Sequence, residues 1–249
     1  MGGAGRNEKK RRQEAANARL AAAGIQRPPQ PNRTPLIVVA AVVAVALVVG
    51  LVLLWNRSSG EDVVPTYSAT ASGAVVTAGS GPAIIDVYED YLCPGCERFE
   101  ERDGDAITTA LNNGELTVRY HSIAILDELT DPAGYSTRAA NAALCAVPAG
   151  IFPAYHDKLF DKQPAEGSAG LSDEELIAFG TELGAQGDFA ACVRDGRHTD
   201  EVAAETEAAT SDPALQTDGT FGTPTVAVDG RKIDLNDASW LQDAIAAAR

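Results

Sequence analysis

The chain has 249 residues, room for one full domain with accessory segments, and the composition of an ordinary globular protein at 45% apolar and 22% charged. Its formal net charge of −15 hides an asymmetry: residues 1–35 carry eight Lys or Arg against Glu8 and Glu14, whereas the rest carries 12 basic and 33 acidic residues. So acidic a body excludes nucleic acid as its partner, because phosphate contacts need cations; solubility accounts for the charge.

In chain order, the basic head comes first. Residues 8–23 can form a surface helix, and the prolines of 27–35 enforce an extended lead-in. Leu36 to Trp55 is a run of twenty residues without a charge, long enough for a hydrocarbon core of about 30 Å. Basic residues before the span predict a cytoplasmic N-terminus and an extracytoplasmic C-terminal body. A cleaved signal peptide is the rival, but its apolar core is normally shorter, and the Ala69-Thr70-Ala71 cleavage-like site lies far past the span. The expected organisation is a cytoplasmic tail at 1–35, a single transmembrane helix at 36–55, and a Ser/Gly/Ala/Thr-rich tether at 56–81 with a possible short strand at 74–77.

The globular body is expected to start near Pro82. Residues 83–89 read as a strand, 94–112 as a helix, Asn113-Gly114 as a turn and 116–124 as a second strand, giving β-α-β. Helical segments follow at 135–147, 152–160, 172–184 (opened by the capping box Ser172-Asp173-Glu174-Glu175), around Cys192 (capped by Asp188), and at 199–210. Strand signals return at 225–228, with a turn at Asp229-Gly230 and a strand at 231–235. A last helix runs from a cap at Asn236 or Asp237 to Ala248. The body thus divides into 82–127, a helical insertion at 128–215, and 216–249.

Cys93-Pro94-Gly95-Cys96 falls where the first strand hands over to the first helix. A thiol at a helix start sits in the positive end of the peptide dipoles, which favours thiolate. Pro94 suits the first helical position, and Gly95 leaves the approach open. Cys96, one turn inside, is more shielded. Cys93 is therefore the expected nucleophile and Cys96 the resolving thiol. A zinc half-site is the alternative, but His121, His156 and His198 are scattered and Cys145 and Cys192 are 47 residues apart, without ligand spacing. Four cysteines is an even number, and in an oxidising space the count fits two pairs, Cys93 with Cys96 and Cys145 with Cys192. Far downstream, Gly222-Thr223-Pro224-Thr225 opens a strand with a residue that has no ladder donor. β-α-β, an insertion and β-β-α around Cys-x-x-Cys is the thioredoxin fold, in which such a Thr-Pro bond is cis. It places Pro224 beside the Cys93 sulfur and offers Thr223 backbone groups to an extended peptide.

Tyr88-Glu-Asp-Tyr-Leu-Cys-Pro-Gly-Cys-Glu-Arg-Phe-Glu100 together with Thr223-Pro224-Thr225 resembles the DsbA-like thiol:disulfide oxidoreductases, in particular the single-span, membrane-anchored type of actinobacteria, over roughly residues 63–249. The resemblance implies a thioredoxin domain with a helical insertion stapled by Cys145–Cys192. It also implies oxidation of reduced exported proteins, re-oxidation by a quinone-linked membrane protein like vitamin K epoxide reductase, and no cofactor or metal. The chain departs from the pattern at Gly95, where many relatives carry His, and at Val87, where thioredoxins carry a buried acid. Glu89 shares the Val87 face and is a candidate proton relay, although a solvated carboxylate is the simpler expectation. Two other functions remain open: a reductase or isomerase running the same exchange backwards, and a non-catalytic thiol or copper-binding module. The copper reading is weakened by a methionine count of one.

Overall fold

The structure is a computed structural model, and it describes residues 3–24 and 63–248. The expected span at 36–55 lies outside the described residues, and among these no helix is long and apolar enough to cross a membrane. The head carries α1 (Gly3–Ala22), a polar helix with an Arg12–Glu8 pair one turn apart. It belongs to a separate unit, residues 1–61, from the body at 62–249.

The body starts earlier than its sequence indicated. Ala69–Ser72 (β1), expected as tether, and Val75–Gly79 (β2), where a short strand was expected at 74–77, form an antiparallel hairpin that joins the main sheet. Ala74, Val76 and Ala78 alternate inward and are buried, which is the physical reason the segment is a strand and not a linker. Further upstream, the Asn112 side chain accepts from the Thr66 backbone N–H at 2.7 Å and donates to the Val64 carbonyl at 3.0 Å.

Ala83–Glu89 (β3), Pro94–Asn112 (α2) and Leu116–Ser122 (β4) give the β-α-β unit. Thr225–Val228 (β5) and Arg231–Lys232 (β6) complete a six-stranded sheet of order β1-β2-β4-β3-β5-β6, in which only β3 and β4 are parallel. β6 stops early because the Asp234 carboxylate accepts from the Asn236 N–H at 2.9 Å and turns the chain. Asp237 does the same with the Ser239 N–H at 2.9 Å, so the last helix, Trp240–Ala247 (α8), begins later than its cap residues promised.

The insertion comprises Tyr135–Ala146 (α3), Phe152–Asp161 (α4), Asp173–Glu182 (α5), Phe189–Arg194 (α6) and Thr199–Ser211 (α7). α3 is its axis. Its run of alanines is buried, and small side chains let four helices approach it closely. Gly180 serves the same end in α5, since a Cβ there would lie 2.1 Å from the Phe189 ring. The Ser172–Glu175 capping box opens α5 as its sequence indicates. Asp188 does not cap α6 through its side chain; its carboxylate pairs with Arg197 instead. Cys145 and Cys192 form a disulfide, with Cα atoms 5.8 Å apart, that joins α3 to α6.

Candidate active site

β3 ends at Glu89, and Asp90 to Leu92 carry the chain into α2. Asp90 is fully buried and accepts from three donors: the Leu92 N–H at 2.9 Å, the Leu126 N–H at 3.0 Å and the Ser136 hydroxyl at 2.6 Å. It thereby ties the loop before the cysteines to the first helix of the insertion. Burial raises its pKa to about 6, against the opposing pull of those hydrogen bonds. From the other side, the Gln163 amide donates to the carbonyls of Tyr91 and Cys93 at 3.1 and 3.2 Å. Neither Asp90 nor Gln163 stands out as a site residue in the sequence.

Cys93 occupies the N-cap of α2 and Pro94 its first turn. Both cysteines are free thiols, so this is the dithiol form. Cys93 keeps 8% of its surface exposed and Cys96 none, and that difference decides which sulfur a substrate can reach. The Cys93 pKa falls from 9.0 to about 5. The largest cause is the Cys96 thiol donating to its sulfur; burial opposes; the Thr223 side chain and the N–H groups of Cys96 and Gly95 add to the fall. Cys96 moves the other way. Burial pushes its thiol well up, and the proximity of Cys93 and Glu89 pushes it further.

The loop before β5 brings Thr223-Pro224 against this pair. The Thr223–Pro224 bond is cis, and the Cys93 thiol donates to the Thr223 carbonyl at 3.2 Å. Gly95 is hemmed in: a Cβ there would lie 3.1 Å from Pro224 Cδ and 3.3 Å from both Cys93 Sγ and the Thr223 oxygen. The structure therefore gathers Cys93, Pro94, Gly95, Cys96, Thr223 and Pro224 at one place. Cys145 and Cys192 lie apart from it, in the insertion.

Glu89 requires a correction. It is not a solvated carboxylate but is fully buried, and the His156 Nε2 lies 2.7 Å from its Oε1. Strand alternation puts Glu89 on the Val87 face, and α4 of the insertion covers that face with a histidine whose position no local pattern reveals. The other histidine of the core, His121, bridges Asp86 at 3.0 Å and Glu205 at 2.7 Å, with Tyr88 stacked on it.

The thioredoxin family model matches residues 73–247. The chain belongs to the thioredoxin family. Within it, the chain is 30% identical over 175 residues to the serine/threonine-protein kinase PknE of Mycobacterium tuberculosis, a match covering 68% of this chain and 31% of the kinase. The chain thus spans about a third of the length of the curated relatives it matches. Among solved structures, this thioredoxin-family chain superposes on the thiol-disulfide oxidoreductase MdbA of Corynebacterium diphtheriae at a TM-score of 0.63 and 22% identity, covering 76% of this chain and 98% of that one. The reduced disulfide bond oxidoreductase DsbG of M. tuberculosis gives 0.59 at 28% identity, covering 75% and 85%. The oxidised DsbA of M. tuberculosis gives 0.56 at 28%, covering 74% and 100%.

Proposed function

We propose that the chain is a DsbA-type thiol-disulfide oxidoreductase that donates the Cys93–Cys96 disulfide to reduced proteins outside the cytoplasm, held to the membrane by residues 36–55. The opposite pKa shifts of the two sulfurs carry this reading. A substrate thiolate attacks Cys93 Sγ, on the less buried of the two cysteines, and the electron pair of the broken S–S bond goes to Cys96. Burial disfavours a thiolate there, so Cys96 takes up a proton. A second substrate thiolate then attacks the substrate sulfur of the mixed disulfide and expels Cys93 as a thiolate. The substrate has lost two electrons, and the enzyme dithiol has gained them. A Cys93 that leaves easily favours this last step, and stabilising its thiolate stabilises the reduced enzyme, which makes the disulfide oxidising.

The likeness to the DsbG disulfide bond oxidoreductase and the DsbA of M. tuberculosis, each at 28% identity, supports the activity. The uncharged run at 36–55 after a basic head supports the anchored, extracytoplasmic placement. Re-oxidation would fall to a quinone-linked membrane protein of the vitamin K epoxide reductase type, as the family resemblance implies. The test is a trap. Cys96→Ser in the full chain should accumulate substrate mixed disulfides on Cys93, and Cys93→Ser should not. Partners held by Cys93→Ser instead would overturn the assignment of roles.

A further inference from the structure

Behind the cysteine pair lies a cluster of buried polar groups that the exchange chemistry does not use. We propose that Glu89, Glu100 and His156 bind one divalent transition-metal ion of borderline hardness, zinc being the best fit. One ligand atom from each lies within 4.8 Å of the others. The three residues come from β3, α2 and α4, so the sheet, the catalytic helix and the insertion each fix one donor.

Two observations point to a ligand here. The first is unmet hydrogen bonding. Glu89 Oε2 and Glu100 Oε1 are buried without a partner, as are Tyr91 Oη and Ser122 Oγ. Ser122 is the β4 residue registered against Glu89, and Tyr91 lies edge-on to the His156 ring, 5.9 Å between centroids. Orphaned polar atoms are rare in native interiors, and several in one place call for an ion or water. The second is charge. Two carboxylates from different elements converge on one buried imidazole, and carboxylates gathered in a dry place need a cation or a shared proton between them.

The donor set selects the ion. One imidazole nitrogen with two carboxylates suits zinc, or manganese next. It lacks the thiolates that copper(I) prefers, and calcium and magnesium want oxygens alone. Zinc–ligand distances of about 2.0–2.2 Å bring tetrahedral donors to about 3.4 Å from one another, so no pair of donors has to move by more than about 1.4 Å. The metal would take the place of the proton that His156 Nε2 shares with Glu89 Oε1. Behind the ring, Asp157 Oδ1 lies 3.6 Å from Nδ1, where an outer carboxylate orients a ligating histidine. Tyr120, Phe152 and Phe160 wall the ring at centroid distances of 4.7, 5.6 and 5.2 Å and keep the site dry. Glu100 also lines an open cavity of about 570 Å³, where Glu97, Glu101, Asp105, Asp157 and Asp161 outnumber Lys158 and Lys162, so the rim is net acidic and draws cations.

The test uses the full chain with the Cys93–Cys96 disulfide closed, so that thiolates do not compete for the metal. After chelator treatment, zinc is added and bound metal is measured by equilibrium dialysis, with magnesium as the comparison ion. About one equivalent of zinc per chain is expected, with no retention of magnesium. Glu100→Gln should weaken zinc at least roughly tenfold and His156→Gln further, while Glu101→Gln on the same rim leaves it unchanged. Saturating zinc should also raise the wild-type Tm by roughly 5 °C. If His156→Gln fails to fold, the variant at Glu100, which is less buried than His156, and the wild-type stoichiometry still decide. Failure of the wild type to bind zinc, or zinc that Glu100→Gln binds as tightly, overturns the site. Neither result bears on the trap experiment at Cys93, so the two proposals fall separately.

Discussion

A Cys93 pKa of about 5 makes the enzyme's equilibrium with glutathione depend on pH, and the dependence can be worked out in advance. Glutathione carries ordinary thiols, ionising near about 8.5. Below pH 5 the reduced enzyme holds two protons on its sulfurs, as two glutathione thiols do, and the equilibrium is independent of pH. Above pH 5 the Cys93 proton is gone while Cys96 keeps its own, because burial raises that thiol. Reduction of the enzyme by glutathione then releases one proton, and raising the pH favours the reduced enzyme tenfold per unit. Between pH 5 and 7 the constant should rise about fiftyfold, the shortfall from a hundred arising because half of Cys93 is still protonated at pH 5; the equivalent is about 50 mV for a two-electron couple. The assay is redox equilibration of the full chain across that range, with thiol alkylation to count reduced enzyme. A constant that does not change between pH 5 and 7 would show that Cys93 is an ordinary thiol, and the argument from its helix-start setting and from Cys96 would fail.

Breaking the staple by Cys145→Ala with Cys192→Ala opens a closed loop of 47 residues. The expected cost is about 4 kcal/mol, read from urea unfolding, with the disulfide exchange rate preserved in the folded protein. His121 is buried, which alone would lower its pKa, but Asp86 and Glu205 overcome this and raise it. Its stabilising contribution is therefore complete below the unfolded value of about 6.5 and is lost as pH rises through the higher folded value, so the stability gap between wild type and His121→Gln should narrow on raising the pH from 6 to 9. Asp90→Ala strands the buried Leu92 N–H, the partly buried Leu126 N–H and the buried Ser136 hydroxyl. It should cost about 2–3 kcal/mol in denaturant unfolding and raise the exchange-measured mobility of the loop before Cys93. An unchanged midpoint would show that water replaces the carboxylate.

The parts legible in the sequence were those written in local pattern. Strand, Cys-Pro-Gly-Cys and helix follow one another within 83–112, and a capping box or a turn dipeptide needs only its own four residues. Thr223-Pro224 was legible because element order, not distance, links it to Cys93. What escaped were long-range partners. His156 meets Glu89 across 67 positions, and Ser136 meets Asp90 across 46; period and propensity carry no signal for such pairs. Of the β1–β2 hairpin only the strand at 74–77 was legible. Ala69–Ser72 has the composition of a linker, and only its pairing with β2 makes it a strand.

The division of labour at the site follows from one helical turn. Moving from the N-cap to the third helical position takes a sulfur from 8% to 0% exposure. At the outer position, hydrogen-bond donors converge on the sulfur and outweigh its partial desolvation, so the thiolate is favoured. At the inner position nothing comparable offsets burial, and the nearby negative charge of Glu89 adds to the penalty. The two shifts reinforce each other, because the proton that Cys96 retains is the one it donates to Cys93. The asymmetry is therefore built by the loop-to-helix junction and the loop at Thr223, without a side chain at position 95. A Cβ at position 95 would press on Pro224 and the Cys93 sulfur by a few tenths of an ångström, and the site reaches its low Cys93 pKa without the histidine that many relatives carry there.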